Sequence, residues 1–320
     1  MRKRHILSII VAAAILLYLF TRVDINKTIE VLQNVNQTYI ILASIVSIIV
    51  LFIRVAVWGL FLEPYRIGVQ KSHLVSTFMA SQFLANVTPG RVGDLVRPMF
   101  LKRWYGTSFF KVLPSLIVER FLDVAILLLF SESLILSYAV GLNQLLTTVA
   151  TFSIILIAVG LVIIFKKGLL GKALDFTLSL FRSFGWSSRL RRNIEELVDN
   201  FYLGIETLKS ARLIEIVGSV FFGWVLYGII LYLSALALVP ASQLPSLFAV
   251  TGFMALAVLG GTLSSLPGGF GSIDAIVFFL FVASGISEPT SLSIAVVYRF
   301  TSYIIPIIFS SIFFYMEVRH

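Results

Sequence analysis

A few charged side chains fall where the chain is otherwise too apolar to hold them. Arg54, Glu119, Arg120, Asp123 and Arg299 lie inside long hydrophobic stretches, and Asp274 follows a Pro-Gly loop. Charge at such depth is costly, and it marks a functional site by default. Glu119 and Asp123 are four residues apart and share a helix face, while Arg120 and Asp123 are three apart and can pair. Every deep cation is an arginine and none is a lysine. A guanidinium offers phosphate a two-pronged set of donors that an ammonium cannot match. Two readings follow: an internal ion-pair network that ties a helix bundle together, or a polar site whose arginines meet an anionic group.

The arginines recur in a repeated setting. Pro89-Gly90-Arg91-Val92-Gly93 is followed by Val118-Glu119-Arg120-Phe121, and Pro267-Gly268-Gly269-Phe270-Gly271 by Val297-Tyr298-Arg299-Phe300. Arg120 comes 31 residues after Pro89, and Arg299 comes 32 after Pro267. Matched, interrupted hydrophobic segments in two halves point to a transporter built from internal repeats. Pro-Gly-x-x-Gly alone marks only a turn. Next to a half-helix in a membrane, it would aim the free N–H groups and positive dipole end of the next helix into the protein, which suits a phosphate headgroup. Arg91, Asp94 and Arg97 follow the first loop at i,i+3 spacing and form one polar face at a cytoplasmic mouth, or serve as ordinary positive anchors. Gln82 and Asn86 precede it four apart, either lining the same cavity or satisfying broken backbone. The candidate substrate-binding set is Arg54, Asn86, Arg91, Asp94, Arg97, Glu119, Arg120, Asp123, Tyr298 and Arg299. Pro89, Gly90, Gly93, Pro267, Gly268 and Gly271 are the loop formers.

Other chemistries lack residues. No nucleophile elbow, phosphate-cradling Gly-Lys-Ser/Thr or dinucleotide fingerprint occurs, and one carboxylate pair within a charged helix turn is weak support for acid–base work. No catalytic residue, cofactor or metal is therefore expected. There is no cysteine, and of His5, His73 and His320 two are terminal.

The elements that must position these residues are membrane helices. Hydrophobic residues make up 58% of 320 positions and charged ones 13%, with a mean hydropathy of +0.99. A water-soluble fold cannot hide that much apolar surface. Stretches long enough to cross run Ile6–Phe20, Tyr39–Leu62, Val112–Phe130, Leu145–Phe165, Leu213–Val239 and Leu292–Met316. Leu74–Thr88 is short and polar-spotted, and Leu247–Leu266 and Ile273–Ser284 flank the second loop.

The net charge is +9, but the positive residues sit in connections rather than on a folded basic face, so nucleic acid is not an expected partner. They cluster before Ile6, between Leu62 and Val112, from Lys166 to Arg212 and at Arg319, which places these regions and both termini on the cytoplasmic side of the cell membrane. Leu74–Thr88 then has cytoplasmic charge on both sides and should enter and return. Such a re-entrant segment is allowed only where protein or water covers its broken backbone. The second loop is expected to be re-entrant from the outer side, the alternative being two full spans.

The expected architecture is all-α and polytopic, with six to eight transmembrane helices and two re-entrant segments in inverted-topology repeats. A single membrane domain, 1–320, divides into a first repeat at about 39–165, a cytoplasmic amphipathic loop at 166–212 and a second repeat at about 213–317. In that loop Leu190, Ile194, Leu197, Val198 and Phe201 recur at helical spacing, as in a helix lying on the membrane surface or a structural linker. The basic start and the apolar run to Phe20 read as an uncleaved signal anchor. Asn26-Lys27-Thr28 and Asn36-Gln37-Thr38 fit glycosylation sequons in an outer loop.

Together, Leu84-Ala85-Asn86-Val87-Thr88-Pro89-Gly90-Arg91-Val92-Gly93-Asp94, the helix bearing Glu119-Arg120-Phe121 and Asp123, Leu266-Pro267-Gly268-Gly269-Phe270-Gly271 and Tyr298-Arg299-Phe300 resemble the lysylphosphatidylglycerol synthase transmembrane family, also called flippase-like or UPF0104. The resemblance runs from about Ile6 to Met316. In bifunctional members it implies a membrane domain that moves a lipid made by an attached synthase to the outer leaflet. This chain resembles the stand-alone form, whose relatives are associated with varied lipids, including hopanoid-related and lipid-linked sugar pathways. At Ser272-Ile273-Asp274 it departs from the family pattern, so the resemblance assigns Asp274 no role.

The expected function is translocation of a polar, anionic lipid between leaflets, the headgroup passing Arg91, Arg120 and Arg299. The expected partners are membrane lipids (an anionic phospholipid or a polyprenyl-phosphate-linked sugar), with room for a companion synthase or a second copy. The alternatives are an integral-membrane enzyme or accessory subunit in lipid-linked glycan or isoprenoid lipid synthesis, and a small-solute carrier with a sealed cavity.

Overall fold

The computed structural model describes residues 23–138, 188–208, 212–264 and 266–319, with positions 151 and 155. The expected span Ile6–Phe20, all of Leu145–Phe165 except those two positions, the basic residues from 166 to 182, and His5 and His320 lie outside the described residues. All regular elements described are helical: α1 (Ile25–Gln33), α2 (Gln37–Leu62), α3 (Lys71–Val87), α4 (Val96–Tyr105), α5 (Phe109–Tyr138), α6 (Ser188–Leu208), α7 (Arg212–Leu236), α8 (Leu247–Ser264), α9 (Ser272–Ala283), α10 (Glu288–Arg299) and α11 (Ile305–Arg319). Four described stretches are long and apolar enough to cross a membrane: Gln37–Tyr65, Arg212–Leu236, Leu247–Ser264 and Glu288–Glu317. The chain is an all-α membrane protein.

Two helical hairpins are folded by the Pro-Gly loops. In the first, α3 runs in, the 3₁₀ turn Pro89–Leu95 reverses the chain, and α4 runs back. The far ends of the arms meet: the Gln70 N–H donates to the Tyr105 hydroxyl at 2.9 Å, and His73 stacks on Trp104 with centroids 4.6 Å apart. In the second, α8 and α9 pack antiparallel around Pro267–Gly269, with Phe253 against Phe281 at 5.4 Å near the open end. Pro at the turn supplies no N–H and ends the helix before it, and glycines take the positive-φ positions that follow. Gly90 and Gly268 sit at φ 61° and 57°. Gly93 meets a different constraint, since a Cβ there would lie 2.2 Å from backbone atoms of Leu84 and Ala85.

The frame around the hairpins is α2, α7 and the α10–α11 pair. α2 and α7 run antiparallel, tied at one end by the Asn36 N–H to the Ala237 carbonyl (2.8 Å) and at the other by a Glu63–Arg212 ion pair. The open end of the first hairpin lies by the C-terminus of α11, where the Trp104 indole N–H donates to Glu317 at 2.6 Å. The second hairpin opens at the opposite end, where Val23, Phe278 and Leu292 cluster. A π-helical turn, Phe300–Ile304, joins α10 to α11 directly after Arg299. Single π-turns inside helices recur at functional sites.

The amphipathic helix α6 is present, but its apolar face is not free to lie on a membrane along its whole length. Phe201, Tyr202 and Ile205 are buried, and Gly204 sits under the Tyr65 ring. Aliphatic and aromatic side chains at helical spacing fit a protein groove as well as a bilayer, so periodicity alone does not separate the two.

Candidate functional site

At the tip of the first hairpin α2, α3, α4, α5 and α7 converge on one ion-pair network. The Arg54 guanidinium grips Asp123 with both terminal nitrogens, at 2.5 and 2.7 Å, and the Trp224 indole N–H donates to the same carboxylate at 2.8 Å. Arg97 is fully buried; it donates to Ser81 (2.8 Å), Glu119 (2.7 Å) and Asp94 (2.9 Å), with its plane over Phe78 at 4.3 Å. All three guanidinium nitrogens of Arg97 and both terminal nitrogens of Arg54 meet a short partner, the condition under which buried charge is tolerated.

Arg91 and Arg120 are held more loosely. Arg91 donates to Gln82 at 3.2 Å and to Asp94 at 3.4 Å, and its side chain is 37% exposed. Its backbone lies in the left-handed region at φ 56°, a strained conformation for a residue with a Cβ. Arg120 reaches Glu119 at 2.9 Å, Asp123 at 3.2 Å and Asp94 at 3.9 Å, is 31% exposed, and its Nε has no partner. Val87, Val92, Leu95 and Met99, around the same tip, are exposed aliphatic side chains.

The second arginine site is built differently. Arg299 donates to both oxygens of Asp274 at 2.8 Å and to the carbonyls of Gly268 (2.8 Å) and Gly269 (3.3 Å), beneath the rings of Phe270 and Tyr303. The Asp274 carboxylate also accepts the Gly271 N–H at 2.9 Å. Asp274 thus occupies the helix N-terminus that the loop motif would offer to a phosphate. At the first loop the Gly93 N–H donates to the Thr88 hydroxyl at 2.9 Å, and the Val96 N–H turns back to the Gly93 and Asp94 carbonyls. At each loop one amide is thus taken up within the chain, Gly93 by Thr88 and Gly271 by Asp274.

Of the residues singled out by spacing, Arg54, Arg91, Asp94, Arg97, Glu119, Arg120 and Asp123 come together in one network. Arg299 does not join it; its ion pair is with Asp274. Tyr298 is buried in the apolar core, and Asn86 is engaged through its backbone carbonyl, which accepts from the Tyr303 hydroxyl at 3.0 Å. The spacing arguments missed Trp224, Ser81 and Tyr303. Trp224 was legible in principle, since an indole N–H in an otherwise apolar helix needs an acceptor.

The model of the lysylphosphatidylglycerol synthase TM region matches residues 5–310. The chain belongs to this family. A UPF0104 membrane protein of Methanocaldococcus jannaschii is 26% identical over 94% of this chain and 91% of its own length. Another UPF0104 membrane protein, of Pyrococcus horikoshii, is 23% identical over 97% of this chain and 96% of its own length. A phosphatidylglycerol lysyltransferase of Staphylococcus epidermidis is 37% identical over a shorter stretch, 21% of this chain and 8% of that enzyme. Full-length similarity is thus to membrane proteins of this chain's own size.

Proposed function

We propose that this protein moves a polar, anionic lipid headgroup between membrane leaflets. The observation that carries the reading is the position of Arg91 and Arg120. They are the loosely held, partly exposed arginines of the network, and they lie at a hairpin tip whose surroundings are exposed aliphatic side chains. A headgroup can reach such a site from the side while its tails stay in hydrocarbon. A small-solute carrier would wall the same arginines off from lipid.

In this reading the two hairpins are re-entrant segments of inverted repeats, entering from opposite leaflets, with their tips bridged by Tyr303 of the π-turn, which packs on Phe270 and donates to Asn86. The antiparallel arms of each hairpin and their opposite open ends support it. The distribution of positive charge supports a cell-membrane protein with both termini cytoplasmic. The partial match to a phosphatidylglycerol lysyltransferase supports a phospholipid substrate and a companion synthase. Transport is preferred over an enzymatic or accessory role because Asp94, Glu119 and Asp123 are each engaged by at least two arginines, which leaves none of them poised as a base. No nucleotide motif is present in the sequence, so coupling is to an ion gradient or absent.

The test is leaflet exchange of labelled lipids in proteoliposomes, with an anionic phospholipid and a polyprenyl-phosphate sugar compared side by side. Exchange that depends on Arg91 and Arg120 supports the reading. No exchange of either lipid by folded protein would overturn it in favour of the enzyme-partner alternative.

A further inference from the structure

The two arginine sites differ in net charge, and the difference sets what each can bind. Among the described residues, the first holds four guanidiniums, of Arg54, Arg91, Arg97 and Arg120, against three carboxylates, of Asp94, Glu119 and Asp123. One positive charge is left over. Arg91 carries most of it, since its ion pair, to Asp94, is 3.4 Å long and that carboxylate is shared with Arg97 at 2.9 Å; Arg120 beside it pairs with Glu119 at 2.9 Å and Asp123 at 3.2 Å and reaches Asp94 only at 3.9 Å. The unpartnered Nε of Arg120 adds an unused donor at the same place. At the second site one guanidinium meets one carboxylate, and two backbone carbonyls take the remaining donors.

An uncompensated charge in a low-dielectric site is stabilised by a counter-charge of equal size, and a second negative charge would be left unpaired. We infer that the first site takes one singly charged phosphodiester group at Arg91 and Arg120, and that the Arg299–Asp274 pair takes no anion. A phosphomonoester, which carries about two charges at pH 8, is excluded by the same count. This inference rests on the translocation reading only for the lipid tails; the charge count applies to any phosphodiester that reaches the site.

Gln82 allows a near-isosteric test. Its Oε1 accepts from Arg91 at 3.2 Å, so Gln82→Glu preserves the bond and adds one negative charge, bringing the network to neutrality. Binding of short-chain lipids to the detergent-solubilised protein would be measured by calorimetry at pH 8. The ligands would be dihexanoyl phosphatidylglycerol (one charge, diester), dihexanoyl phosphatidic acid (about two charges, monoester), dihexanoyl phosphatidylcholine (zwitterionic) and tail-free glycerophosphoglycerol. The expected result is that the diester binds the wild type at least about tenfold more tightly than the monoester, a preference lost in Gln82→Glu and kept in Arg299→Lys. Tighter binding of the monoester, or unchanged diester binding by folded Gln82→Glu, would overturn the inference. Glycerophosphoglycerol binding as tightly as the lipid would uphold the charge rule and overturn the lipid reading. Leaflet exchange is a separate measurement, so a protein that binds diesters but exchanges none would sink the translocation reading alone.

Discussion

The Tyr303 hydroxyl, from the π-turn after α10, donates to the backbone carbonyl of Asn86 at 3.0 Å, tying that turn to the tip of the first hairpin across 217 residues of sequence. The same ring packs edge-on against Phe270 at 4.9 Å and covers Gly268, where a Cβ would fall 2.2 Å from it. The ring and the hydroxyl therefore do separate work. Tyr303→Phe keeps the packing and loses one neutral hydrogen bond, an effect of about 0.5–1.5 kcal/mol. Tyr303→Ala also opens a cavity between the loops, about 3–5 kcal/mol. Thermal unfolding in detergent should rank the variants in that order. Equal losses would mean that the hydroxyl alone holds the junction.

Gly93 and Gly90 make an internal control for one another. At Gly93 an added Cβ would meet backbone atoms of α3 at 2.2 Å, and backbone cannot swing aside as a side chain can. At Gly90 nothing lies within 4 Å and only the positive φ is at stake, about 1–2 kcal/mol. Gly93→Ala should abolish the folded peak in size-exclusion chromatography, while Gly90→Ala should retain it with a modestly lower melting temperature. A well-folded Gly93→Ala would show that the hairpin is looser than its geometry implies.

The network separates arginines that hold the fold from arginines free to bind. Arg97→Met strands Asp94 and Glu119 with fewer partners in a buried site, a loss of about 3–5 kcal/mol. Arg91 is 37% exposed with long contacts, so Arg91→Gln should change stability by less than about 1 kcal/mol. It should still slow lipid exchange by roughly tenfold to a hundredfold, the worth of one charge-assisted hydrogen bond. The check is the exchange rate per folded molecule alongside the melting temperature. If Arg91→Gln exchanged lipid at the wild-type rate, the opening at this tip would not be the headgroup site.

Much of this site was legible before any fold was known. Intramembrane charge is so unfavourable that Arg54, Glu119, Arg120 and Asp123 had to find each other, and i,i+3 and i,i+4 spacing placed three of them on one face. Arg54 was harder to place, because it is the packing of α2 against both α5 and α7 that brings it to Asp123 beside Trp224. The repeated motif suggested that Arg120 and Arg299 do the same work, but their ion-pair partners differ. In the first copy the carboxylate after the loop, Asp94, is drawn to Arg97 and Arg91 as well as to Arg120. The second copy has no counterpart of either, so Asp274 and Arg299 neutralise each other. A motif conveys which groups can meet, whereas their competition for partners is set by tertiary packing. Thr88 and Asp274 illustrate the same point, each taking up one loop amide, of Gly93 and Gly271, that the motif alone leaves unassigned.

That asymmetry makes Arg299 a sharper test than Arg120. Its guanidinium ties α10 to the carbonyls of Gly268 and Gly269 and to the cap residue Asp274, so it fixes the shape of the second tip. Arg299→Gln removes the charge opposite Asp274 and leaves carbonyl acceptors unmet in a mostly buried place, a destabilisation of about 3–5 kcal/mol. The double variant Arg299→Gln with Asp274→Asn removes both charges and should recover part of that loss. Exchange per folded molecule should then stay near wild type, because no headgroup contact has been removed. Arg120→Gln should behave in the opposite way, with a folded protein and little exchange. Folded yield, melting temperature and exchange rate measured on the three variants separate the roles. If the double variant were folded and inactive, Arg299 would belong to the headgroup path, and the two sites would be equivalent as their motifs suggest.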